Sequence, residues 1–176
     1  LSNQSHLSKI IKAKPNYLYN YTNLAYQSFF VSPHAVKMLE TIKFSYLRLG
    51  DIRKNISSVE PILRDSNMLS LDISSISSAY AKANNYCTPN GLNGNEICKL
   101  LFYAGVSDKL KSFGIFEYNQ NLDQDDQTAK LISQIIWYFL EGFQSRVSEE
   151  IPSSKNLIFY NVTGENDTNN MVFCKS

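Results

Sequence analysis

Two short apolar runs in this chain each end in a carboxylate, and each is followed by a polar loop and then by a helix-like apolar pattern. Met68-Leu69-Ser70-Leu71-Asp72-Ile73 delivers Asp72, and Lys111-Ser112-Phe113-Gly114-Ile115-Phe116 delivers Glu117. Runs of this length suit buried strands. An order of strand, loop, helix, strand, loop, helix requires a crossover between parallel strands, so it predicts an α/β fold with a mainly parallel sheet. In such a sheet both acids leave by the same carboxyl edge, where ligands collect. The plainer reading of Asp72 and Glu117 is two loop acids in solvent or in capping roles, and spacing alone leaves both readings open.

Residues 5–12 form a short basic helix, and 24–31 an extended segment at the end of a Tyr- and Phe-rich stretch. Ser32-Pro33 opens a helix, with a hydroxyl cap and Pro at the first helical position. Val36, Leu39, Ile42, Tyr46 and Leu47 give it one apolar stripe, and Gly50 ends it. A helical turn is expected over 59–63, around Pro61. The polar loop 74–93 is long enough to be functional or disordered. Helices are predicted over 94–104 and 126–141, the second stopped by Gly142 and burying Ala129, Ile132, Ile135, Ile136, Phe139 and Leu140, with Trp137 in the core. Asp123, Asp125 and Asp126 lack calcium-loop spacing and suit the amino end of that helix. A terminal hairpin is expected from 157–162 and 171–174, turning at Gly164-Glu165-Asn166-Asp167.

Composition removes several classes. With 17 basic and 16 acidic side chains, the net charge of +1 argues against a general nucleic-acid binder. The aromatic stretch from Tyr17 to Phe30 therefore reads as packing rather than base stacking. No apolar run reaches the length of a membrane span. Cys87, Cys98 and Cys174 fit no zinc spacing and read as free thiols in a reducing compartment. His6 and His34, the only histidines, read as surface residues.

The two carboxylate-bearing strands lie in a longer set of segments that resembles the ureohydrolases (arginase, agmatinase and formiminoglutamase), most closely a divergent formiminoglutamase-like branch typical of Bacteroidetes. The matching segments include Tyr19-Asn20-Tyr21-Thr22-Asn23, Glu60-Pro61-Ile62-Leu63-Arg64-Asp65, Leu69-Ser70-Leu71-Asp72-Ile73-Ser74, Phe116-Glu117-Tyr118-Asn119 and Gln134-Ile135-Ile136-Trp137 onward to Gly142. The resemblance implies a three-layer α/β/α sandwich. It also implies hydrolysis of a C–N bond in a linear amidine or guanidine by a hydroxide held between two manganese ions. Asp72 matches the first ligand of the family's S-x-D-x-D motif, while Ser74 stands where the second acid belongs. A neutral hydroxyl there weakens or loses one metal position. Glu117 matches the acid of E-x-N-P that pairs with the planar cation of the substrate, and Gln120 replaces the Pro.

The family's G-G-D-H and D-x-H-x-D motifs are absent, and the chain opens on Leu1. The expectation is that residues 1–176 are the carboxyl-terminal part of a single ureohydrolase-like α/β domain, inactive alone. The resemblance further implies a homo-oligomeric protein with a small-molecule amidine or guanidine substrate, while the free thiols point to a cytoplasmic location, and charge and hydropathy to no nucleic-acid or membrane partner. A metal-free fold kept for ligand binding or structure is the alternative.

Overall fold

The computed structural model describes residues 6–15, 17–147, 158–163 and 170–175. The order is α1 (His6–Lys12), β1 (Thr22–Tyr26), α2 (Pro33–Thr41), β2 (Ser45–Arg48), α3 (Leu49–Lys54), α4 (Glu60–Arg64), β3 (Met68–Asp72), α5 (Gly94–Val106), β4 (Ser112–Phe116), α6 (Gln127–Gln144), β5 (Ile158–Thr163) and β6 (Asn170–Lys175). The chain is α/β, and its strands pair as β1 with β2 and β3 with β4 in parallel, and β5 with β6 antiparallel. The predicted terminal hairpin is therefore present, and its turn lies outside the described residues.

Both carboxylate-bearing runs are strands. β3 alternates, with Leu71 and the following Ile73 buried and Ser70 and Asp72 outside the core. That period of two is what a strand with one covered face requires. Its parallel partner β4 aligns without slip, from Met68 opposite Ser112 to Asp72 opposite Phe116. The core gathers Ile52, Val59, Leu63, Ile73, Ile76, Leu101, Ala104 and Ile135 between these strands and helices α3 to α6.

The α2 start is as predicted: the Ser32 hydroxyl accepts from the Ala35 amide, with Pro33 at the first position. Its end is not. The helix stops at Thr41, Lys43 adopts φ 59°, and Tyr46 and Leu47 lie on β2. Gly50 is inside α3. The extended segment predicted over 24–31 is shorter and earlier, ending at Tyr26 before a turn. A helical segment does surround Pro61, as α4.

Helix α6 departs from expectation in three ways. Gly142 does not stop it, because the helix continues to Gln144. Gly142 instead lies where α5 crosses: a Cβ there would sit 2.3 Å from the Phe102 carbonyl oxygen, and one on Gly105 would sit 2.2 Å from that of Phe139. The buried stripe is Thr128, Leu131, Ile135 and Gly142, whereas Ile136 and Leu140 are exposed. Trp137 is 58% exposed and is not core.

Cys87 is an exposed free thiol and Cys98 a buried one. His34 is exposed, as expected, and the side chains of His6 and Cys174 lie outside the described set. No helix among the described residues is long and apolar enough to cross a membrane.

Candidate functional site

The register of β3 and β4 brings Asp72 and Glu117 to one rim. Asp72 is the last residue of β3 and pairs with Phe116, the last residue of β4, so Glu117 is one residue beyond it on the neighbouring strand. Both are exposed. Asp72 also caps the short 3₁₀ turn Ile73–Ser75: its Oδ1 accepts from the Ser74 amide at 2.8 Å. Ser75 Oγ donates to the Asp72 carbonyl at 2.7 Å. The capping role weighed from sequence is thus real for Asp72, and it occupies one carboxylate oxygen. Glu117 has φ 69°, the left-handed region that a residue with a side chain adopts only when its surroundings hold it there.

Those surroundings are two loops tied together. Loop 74–93 is ordered rather than loose. It is closed by parallel bridges from Ile76 to Leu92 and from Ser77 to Thr88, with Ile76, Ala81, Ala83 and Leu92 buried. Its far end grips the loop after β4. The Ala83 carbonyl accepts from the Asn119 amide at 2.9 Å, and the Ala83 amide donates to Thr128 Oγ1 at 3.1 Å. Lys82 pairs with Asp125 at 3.0 Å, and Gln127 Nε2 donates to the Ala79 carbonyl at 2.6 Å.

Asp123 is the hub of the second loop and is only 6% exposed. Its carboxylate accepts from the amides of Thr128 at 3.1 Å and Ala129 at 2.8 Å, and from the Tyr118 hydroxyl at 3.2 Å. Burial alone would raise its pKa, but the Ala129 and Thr128 amides and the Tyr118 hydroxyl outweigh it and hold the carboxyl below its ordinary value. Partial burial and the adjacent carboxylate push the Tyr118 phenol up. Of the three acids read as helix caps, Asp123 makes these two amide bonds. Asp126, at the capping position itself, has φ 56° and no side-chain bond.

Tyr118, Ala83 and Thr128 carried no signal in the sequence. The amino end of α5 did carry one: Asn93 and Glu96 form a reciprocal capping box, written as N-x-x-E. Glu96 also receives Arg53 at 3.0 Å, and Arg53 donates to the Gly91 carbonyl at 2.6 Å.

Two open clefts lie elsewhere. One of about 440 Å³ between α2 and the β1–β2 pair is lined by residues including Tyr26, Lys37, Glu40 and Arg48. Another of about 480 Å³ beside the start of α6 is lined by residues including Tyr80, Asp125 and Lys130. Neither is lined by Asp72 or Glu117. The rim is an exposed shelf on which Asp72 and Glu117 stand one register step apart.

The family model described as arginase family matches residues 19–141. The chain belongs to the arginase family. No curated protein matches it. Among solved structures, Trypanosoma cruzi formiminoglutamase in an oxidized form with Mn²⁺ superposes with a TM-score of 0.67 at 18% identity, over 72% of this chain and 45% of that one. Formimidoylglutamase from Bacillus subtilis gives 0.65 at 19% identity, over 71% and 41%. Arginase from Bacillus caldovelox gives 0.64 at 15% identity, over 76% and 47%. The fold is thus that of the arginase family, and the chain spans less than half the length of these three structures.

Among the described residues no three His, Cys, Asp or Glu side chains gather into a group that could hold a metal ion. Asp72 spends one oxygen on the Ser74 amide, and Ser74 brings no charge to the position beside it. These residues do not by themselves fit a two-manganese centre.

Proposed function

We propose that this chain is the carboxyl-terminal part of a formiminoglutamase- or arginase-like hydrolase. In this reading its rim recognises the planar cation of a linear amidine or guanidine. Glu117 is the anchor, because a carboxylate can accept two parallel hydrogen bonds from an amidinium or guanidinium group. Asp72 stands at a ligand position of the family motif and would contribute one carboxylate to a manganese site completed by other residues. Homo-oligomeric assembly and a cytoplasmic location belong to the same proposal.

The observation that supports the reading is the parallel register of β3 and β4, which ends at Asp72 and Phe116 with Glu117 next in line. The chain by itself is expected to release neither formamide nor urea. Titration with acetamidinium, followed by calorimetry, tests the anchor. Binding that is lost in Glu117→Gln supports it, and binding unchanged by that substitution refutes it.

A second reading is favoured by Ser74: a metal-free member of the fold that binds a cationic ligand without turning it over. Manganese analysis with assays on formiminoglutamate, arginine and agmatine separates the two. Turnover with bound manganese supports the hydrolase, and ligand binding with neither supports the second reading.

A further inference from the structure

The tie between the rim loops has a direction. Glu117 is held at φ 69°, and the residues immediately after it are each fastened to something buried. Tyr118 donates its hydroxyl to Asp123, and Asn119 donates its amide to the Ala83 carbonyl. Asp123 is in turn fixed by the Thr128 and Ala129 amides at the start of α6, and Thr128 Oγ1 receives the Ala83 amide. The ring Tyr118, Asp123, Thr128, Ala83, Asn119 closes on the peptide that follows Glu117. A left-handed glutamate costs energy, and it persists when its neighbours leave no alternative.

We propose that Asp123 and Tyr118 are positioning residues for Glu117, and that their hydrogen bond sets the backbone conformation from which the Glu117 carboxylate meets a cationic ligand. The ligand half of this inference rests on the anchor role proposed above, while the conformational half does not. The competing explanation is that Asp123 merely caps α6. Tyr118→Phe separates them, since it removes only the hydroxyl and leaves both amide bonds to Asp123. A cap is untouched by that change, whereas a positioning link is cut.

The test uses the full chain in four forms: unmodified, Tyr118→Phe, Glu117→Gln and the double substitution. The three-bond coupling between the Glu117 α proton and the preceding carbonyl carbon, which is large only in the left-handed region, reports its φ, and acetamidinium titration reports binding. Tyr118→Phe is expected to leave the helix content by circular dichroism unchanged and to average the Glu117 coupling over several conformations. It is expected to weaken acetamidinium binding about tenfold, the scale of one misaligned charge-assisted hydrogen bond. On the Glu117→Gln background it should have no further effect on binding. An unchanged Glu117 coupling in Tyr118→Phe overturns the inference. If the unmodified chain does not bind acetamidinium, the anchor reading falls, and the coupling still decides whether Tyr118 and Asp123 fix Glu117.

Discussion

At the scale of single residues, Asp123 is the most constrained acid described. Three donors surround it, and it caps α6 from four residues before the helix begins. Replacing it with Ala leaves two helix-end amides without that acceptor, and the expected loss is about 1–2 kcal/mol in urea unfolding. Its pH behaviour follows from the sign of its shift. The folded carboxyl titrates below the ordinary value of 3.8, so its contribution is fully present above the unfolded-state pKa. It is lost as pH falls through the depressed folded value. Urea unfolding measured between neutral and strongly acid pH should show a shallower acid loss in Asp123→Asn than in the unmodified chain. The acid cluster was legible as a helix cap because acids before an apolar-periodic run suit the helix dipole. Which acid makes the bonds was not legible, since that depends on the fold of the loop. The left-handed backbone at Glu117 was equally invisible, because the loop that follows it is tied to Ala83, 34 positions earlier in the chain.

At the scale of elements, α5 and α6 cross in close contact. Gly105 and Gly142 let the two backbones touch, and the Arg146 guanidinium donates from the end of α6 to the Gly105 carbonyl at 2.7 Å. Gly142→Ala places a methyl group 2.3 Å from a carbonyl oxygen of a rigid helix. The expected cost is about 1–3 kcal/mol or more, with helix content by circular dichroism retained and the urea midpoint lowered. Short apolar runs found β3 and β4, and helical spacing of apolar residues found α5 and α6. Sequence patterning failed at β2, where Tyr46 and Leu47 continue the stripe of α2 by spacing although Lys43 has already reversed the chain. It also misread Gly142, since a glycine past a helix and a glycine at a helix crossing look alike in one dimension.

At the scale of the whole molecule, apolar surface is left uncovered. Trp137, Leu140 and Phe143 along α6 are 58%, 50% and 49% exposed, and Met68 and Phe116 are exposed at opposite ends of the β3–β4 pair. Parallel strands are ordinarily covered on both faces, so a pair this open is atypical. Trp137 is the sole tryptophan and gives a direct readout. Its emission should be long-wavelength and readily quenched by acrylamide in the chain alone. Short-wavelength emission that resists quenching would mean that this face is covered in solution. The α/β class and the shared rim were legible in the sequence, because two apolar runs with intervening helices admit few arrangements. The identity of the buried stripe on α6 was not, because apolar residues occupy both of its faces.

The link between the two rim loops at Ala83 runs through a peptide amide and a peptide carbonyl, with a methyl side chain fully enclosed. Every amino acid except proline offers those same two groups. Mutation can therefore rewrite much of either loop without loosening that clasp, provided that a small residue stays at its centre and a hydroxyl stays at position 128. Divergent descendants could keep the geometry of the shelf after nearly all of its spelling has changed.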